Sequence, residues 1–209
     1  PRLGVKWKAH PNTVLKASVG KFSQFPSVRQ ALDSSSKGNT LKPQFSIQSS
    51  LGIEQRIIPE LSIEANFFYN QLTQLIVGRE DAFRFYSGPP PVGPFDIDPY
   101  ANDGVGRVYG LELLAKLQTS RAVALLSATI GNSSRIDRPG DERELFSYDQ
   151  PFVINALGTY KLPKRWRIGA RVRVSAGNPY TPVSNRIYDM NSRIFLPVYG
   201  ERDSARPVS

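Results

Sequence analysis

Covalent or metal chemistry needs nucleophiles, proton carriers or ligand clusters, and this sequence offers few of them. Cysteine is absent and His10 is the single histidine. That leaves no disulfide framework, no thiolate metal site and no cysteine nucleophile, and His10 has no histidine partner for a metal cluster. Asp137, Asp141, Glu142 and Glu144 gather around Gly140 and could ligate a hard cation through oxygen. Their spacing is not that of a calcium loop, and Arg135, Arg138 and Arg143 interleave with them, so they read as a solvated loop. The stretch from Gly104 to Gly110 has glycines, but neither the spacing nor the strand-then-helix setting of a dinucleotide loop. Asn132-Ser133-Ser134 fits a glycosylation sequon, which matters only in a secreted eukaryotic protein. Two carboxylates would suffice for glycoside hydrolysis, but no spacing singles out a pair. The expectation is no catalytic residue, no metal ligand set and no cofactor, and therefore no enzyme.

Recognition chemistry is better represented. Arg165, Arg167, Arg171 and Arg173 alternate with Trp166, Ile168, Ala170, Val172 and Val174. A strand separates these two sets onto opposite faces, whereas a helix would mix them. Such a row suits an anionic ligand, or pairing with acids such as Glu64 and Glu112. A second group mixes aromatics with charges: Phe83-Arg84-Phe85-Tyr86 and Asp96-Ile97-Asp98-Pro99-Tyr100. Both lie in a long connection, and loops on a rigid scaffold carry recognition; self-packing of a compact loop is the bland alternative. The candidate ligand-binding residues are Arg84, Phe85, Tyr86, Asp96 and Tyr100 in the loop and Arg167, Arg171 and Arg173 on the strand. The net charge of +9 fits nucleic acid, anionic lipid, an anionic ligand or an acidic partner domain, and does not choose among them.

The elements that must hold these residues are strands. Leu61, Ile63, Ala65, Phe67 and Tyr69 oppose Ser62, Glu64, Asn66, Phe68 and Asn70. Ile47, Leu51, Ile53 and Ile57 oppose Gln48, Ser50, Gly52, Glu54 and Arg56. Tyr109, Leu111, Leu113, Ala115 and Leu117 oppose Gly110, Glu112 and Lys116, and Leu3, Val5 and Trp7 alternate with Gly4, Lys6 and Lys8. Residues 152–162 alternate more loosely, and 13–22 and 121–130 are strand-like. Ser27 to Asp33 reads as a local helix. Connections at Pro11-Asn12, Pro59-Glu60, Thr119-Ser120 and Pro163-Lys164 are tight, while those over roughly 23–43, 78–103, 132–150 and 177 onward are long. Gly88 to Pro94 is a Pro/Gly-rich loop tip. Strict alternation of short and long connections is the habit of an up-and-down barrel in an outer membrane. Mean hydropathy is −0.33, and no run approaches the roughly 18 apolar residues of a membrane helix; barrel strands escape that test because they alternate. Trp7, Tyr69, Tyr109 and Trp166 are candidates for interfacial girdles. The competing expectation is a soluble all-β binding module with a basic face.

Several blocks resemble the barrel of TonB-dependent receptors. They are Pro1-Arg2-Leu3-Gly4-Val5 with the segment from Asn12 to Phe22; Leu41-Lys42-Pro43-Gln44 followed by Ser49 to Gln55; Leu61 to Val77, with Phe67-Phe68-Tyr69-Asn70 typical; Asn102-Asp103-Gly104 followed by Val108-Tyr109-Gly110-Leu111-Glu112-Leu113; and Gly177 to Pro182. Gln44 stands where the family's pattern carries an acid. The resemblance implies an all-β fold, an antiparallel up-and-down transmembrane barrel of which residues 1–209 supply about eight or nine strands out of about 22. The plug domain is absent from this sequence, both termini read as mid-protein, and a final strand ending in an aromatic residue is missing. The resemblance further implies a bacterial outer-membrane location and active uptake of a scarce ligand such as siderophore-bound iron, cobalamin or an oligosaccharide. The implied partners are outer-membrane lipid, the protein's own N-terminal plug domain, a TonB-type energy-transducing complex and the imported ligand, with no nucleic acid. Acidic groups on the plug would be further partners for the arginine row.

Overall fold

The computed structural model describes residues 1–35, 40–78, 100–190, 193–201 and 203–207. Eight long strands form one antiparallel sheet in the order β1-β2-β3-β4-β5-β6-β8-β9. They are β1 (Arg2–His10), β2 (Thr13–Gln24), β3 (Gln44–Ile58), β4 (Leu61–Gly78), β5 (Tyr100–Gln118), β6 (Ala122–Ile136), β8 (Phe152–Lys161) and β9 (Arg167–Ser175). A two-residue strand, β7 (Glu144–Leu145), adds to β6, while β10 (Val183–Asp189) and β11 (Ile194–Tyr199) make a separate hairpin. The helix over Val28–Ser35 sits in the first long connection. It begins with a capping box: the Gln30 backbone N–H donates to Ser27 Oγ at 3.4 Å, and Ser27 N–H donates to Gln30 Oε1 at 3.0 Å.

Sequence neighbours pair throughout the sheet, so each strand needs only a turn or a loop to reach the next. Pro11-Asn12, Pro59-Glu60, Thr119-Ser120-Arg121 and a 3₁₀ turn over Pro163–Arg165 close one end of the sheet. Thr119 Oγ1 accepts the Ala122 N–H at 2.9 Å, which fixes the third of these turns. The strand ends that the long connections join lie at the other end, as an outer-membrane barrel requires.

Cross-strand partners share a face, and the register carries one apolar face from edge to edge. Val5 pairs with Ala17, Ala17 with Leu51, Leu51 with Phe67, Phe67 with Leu111 and Leu111 with Ile130. Ile130 continues to Phe152, and Ala156 to Val172 completes the face on β9. Among the described residues nothing covers it: Leu51 is 65% exposed, Leu126 51% and Val172 58%. Among the described residues, the buried apolar side chains are Leu41, Val77, Ala101 and Ala176, all beyond the middle of the sheet on the long-loop side. A soluble sandwich would bury this face against a second sheet; no second layer exists among the described residues. On β5 the band runs from Tyr109 to Leu117, about 27 Å along the strand at ~3.4 Å per residue. A tilt of roughly 40° reduces it to about 20 Å, close to the apolar height of an outer-membrane barrel.

Aromatic side chains flank this band. Tyr69 and Tyr109 are register partners on its loop side. Trp7, Tyr160 and Trp166 stand toward the short turns, with Trp7 62% and Trp166 70% exposed, as interfacial girdles do.

Candidate functional site

The opposite face of the sheet is the lumenal wall, and its charges are not evenly balanced. On the β2–β4 sector, Glu54 and Glu64 are direct cross-strand partners. Two carboxylates in that position repel, and Lys16 Nζ reaches between them, 2.9 Å from each. Asn66 Nδ2 donates to Glu112 Oε2 at 3.3 Å on the next strand. A polar recess of about 350 Å³ opens at the short-turn end of this sector, lined by Glu54, Arg56, Glu60, Ser62, Glu64 and Lys116 among others. A larger trough of about 560 Å³ lies on the other side of the sheet, among Val5, Trp7, Leu51 and Phe67. Its apolar lining faces outward, where acyl chains pack; it is not a cargo site.

The β9 sector differs. Arg167, Arg171 and Arg173 project to the lumenal side, paired in register with Lys161, Leu157 and Asn155. The expected pairing of this row with Glu64 and Glu112 does not occur, because Glu64 is engaged by Lys16 and Glu112 by Asn66 on distant strands. Arg165 belongs to the turn before β9 instead of the row itself.

At the long-loop end two clusters hold the connections in place. Strand β4 breaks register between Leu72 and Leu75, where Gln74 has φ of 56°, and such a bulge frees backbone groups. Asn102 recovers them: its Nδ2 donates to Gln74 O and to Lys42 O, both at 2.9 Å, and its Oδ1 accepts Lys42 N–H at 2.8 Å. Gln44 Oε1 accepts Ile76 N–H at 3.1 Å. In the second cluster Asp149, 2% exposed, accepts Ser133 N–H at 2.5 Å and Ser133 Oγ at 2.9 Å. Asp149 is also ion-paired with Arg206. Arg206 Nη1 donates to the Asp149 and Gly177 carbonyls at 2.7 and 3.1 Å.

Of the loop candidates, Arg84, Phe85, Tyr86 and Asp96 lie outside the described residues, as does the Gly88 to Pro94 tip. Tyr100 is not in the loop: it opens β5, half-buried and paired with Gly78. The acids near Gly140 do not converge, and Asp137 is ion-paired with Arg135 at 2.9 Å. Sequence reading missed Lys16, Asn102, Asp149 and Arg206, whose partners are 48, 60 and 57 residues away. Asn102 and Gln44 did stand inside the blocks quoted for the resemblance, which was the available signal.

The family profile for TonB dependent receptor-like β-barrels matches residues 1–201. The chain belongs to that family. Solved structures agree with the fold. The FrpB iron transporter of Neisseria meningitidis is 17% identical with a TM-score of 0.64, over 95% of this chain and 30% of its own. The pyoverdine outer membrane receptor FpvA of Pseudomonas aeruginosa is 12% identical at 0.65, over 95% and 27%. The ferric-catecholate import receptor Fiu of Escherichia coli is 15% identical at 0.61, over 86% and 24%. No curated protein matches the chain. The chain spans less than a third of the length of these structures. As a TonB-dependent receptor barrel segment it is an outer-membrane protein of bacteria.

Proposed function

We propose that this segment forms part of the wall of a receptor that imports a ferric chelate across the outer membrane, gated by a plug domain and energised through TonB. The observation that carries the reading is the two-faced sheet: an unbroken outward apolar band backed by a charged lumenal wall, with long loops at one end. Such a sheet encloses a polar conduit in lipid. The likeness to the iron transporter FrpB, the pyoverdine receptor FpvA and the ferric-catecholate receptor Fiu favours iron over cobalamin or an oligosaccharide as cargo.

In this reading each part of the chain has a task. The outward band holds the wall in lipid, where every backbone group must find a partner strand. The long connection bearing Arg84, Phe85, Tyr86 and Asp96, with Tyr100 at its base, receives the ligand. Arg167, Arg171 and Arg173 line the conduit below. No bond is made or broken in the cargo.

The test is radioiron uptake by a strain whose sole outer-membrane iron receptor is the full-length protein. Uptake of at least one ferric chelate that disappears on deletion of TonB supports the reading. Uptake that is indifferent to TonB, or absent for every chelate although the receptor is inserted, overturns it.

A further inference from the structure

We infer that the cargo is an anion, drawn along a stripe of guanidinium groups formed by Arg167, Arg171 and Arg173; the inference rests on the uptake reading above. Strands β6, β8 and β9 contain neither Asp nor Glu. The lumenal residues that β8 offers to the stripe are Val153, Asn155, Leu157, Thr159 and Lys161. In the sheet order the nearest carboxylates are Glu144 on β7, which sits opposite Arg135 of β6, and Glu112 on β5, three strands away, or about 14 Å at ~4.8 Å per strand, where it is occupied by Asn66. Among the described residues no side-chain hydrogen bond or ion pair engages any of the three arginines.

This contrasts with the β2–β4 sector, where Lys16 is neutralised twice. Arg171 and Arg173 are two residues apart on one face, about 7 Å along the strand, and repel each other without a counter-charge. An anion with several oxygen acceptors relieves that repulsion, since each guanidinium presents a planar fork of donors to carboxylate, catecholate or phosphate oxygens. The stripe starts beside the short turn and ends two register pairs below the top of β9. It therefore marks a path along the wall, with a field that low-dielectric walls focus into the polar conduit, where it concentrates anions.

The experiment compares the full-length receptor with its Arg167→Gln/Arg171→Gln/Arg173→Gln variant, using radioiron as a trianionic tris-catecholate and as a cationic tris-hydroxamate. Import of the tris-catecholate by the parent, reduced at least about tenfold in the variant with any tris-hydroxamate import unchanged, is the expected result. Preference of the parent for the cationic chelate overturns the inference and leaves the uptake reading intact. Equal loss of both chelates, with raised ligand-free conductance in planar bilayers, also overturns it and assigns the stripe to the plug domain. Import of neither chelate by an inserted parent counts against the uptake reading itself. Should the triple variant fail to insert, Arg171→Gln and Arg173→Gln singly serve instead, with the same expected selectivity and the same overturning outcomes.

Discussion

Lys16 holds together two carboxylates that would otherwise face each other across β3 and β4. Its removal exposes their repulsion. Lys16→Met is expected to lower stability by about 1 kcal/mol, since the trio is only partly shielded from solvent. Adding Glu64→Gln should recover most of that loss, and urea unfolding in detergent followed by tryptophan emission reads both. Asn102 serves three backbone groups with one side chain. Asn102→Ala should cost about 1 kcal/mol, because the part-buried Gln74 carbonyl at the β4 bulge and the more exposed Lys42 peptide groups lose a partner. The sequence made the residue types legible but not these contacts. Period-2 alternation tells which face a side chain takes, whereas contacts between strands need the register, and only the folded chain fixes it.

Strands were more legible than their ends. Alternation in Leu61 to Asn70 and Val108 to Leu117 marked the short-turn halves of β4 and β5, and for β4 only the family resemblance, over Leu61 to Val77, reached the rest; β4 continues to Gly78 and β5 begins at Tyr100. Beyond the lipid band neither face is apolar by necessity, so the alternating signal fades while the hydrogen-bonded ladder goes on. The β10–β11 hairpin was missed for the same reason: Val183, Ile187, Phe195 and Leu196 put apolar residues on both of its faces. Within β5, Gly110 has a steric role that the sequence hinted at. A Cβ there would come within 2.4 Å of Ile130 O and 2.8 Å of Phe68 Cζ, with Gly131 alongside. The Phe68 ring thus occupies the space that two glycines leave open. Gly110→Val should abolish the folded, heat-modifiable band on gels, whereas Gly158→Ala, with nothing within 4 Å, should leave it unchanged.

At the scale of the molecule, the apolar surface faces outward and the polar surface inward, the reverse of a soluble domain. A charge at mid-band should therefore be expensive. Leu113→Arg is expected to cost about 2–4 kcal/mol when folding into lipid vesicles is measured, while Ser127→Arg on the lumenal face should cost far less. The sheet has free edges at β1 and β9, and an unpaired edge templates association. The isolated chain should aggregate in plain buffer and recover β-structure in detergent, as circular dichroism with sedimentation would reveal; a monodisperse β-rich species in buffer would count against the membrane reading. Composition concealed this inside-out arrangement, because averaging over both faces of a strand yields an ordinary mean hydropathy. The Asp149 clasp has an immunological corollary. It brings Ser133 and Arg206 onto one buried carboxylate, and Arg206 in turn holds the Gly177 carbonyl, so the surface above it is assembled from segments far apart in sequence. Antibodies raised there against whole bacteria should fail on denaturing blots, and no single synthetic peptide from these segments should absorb them.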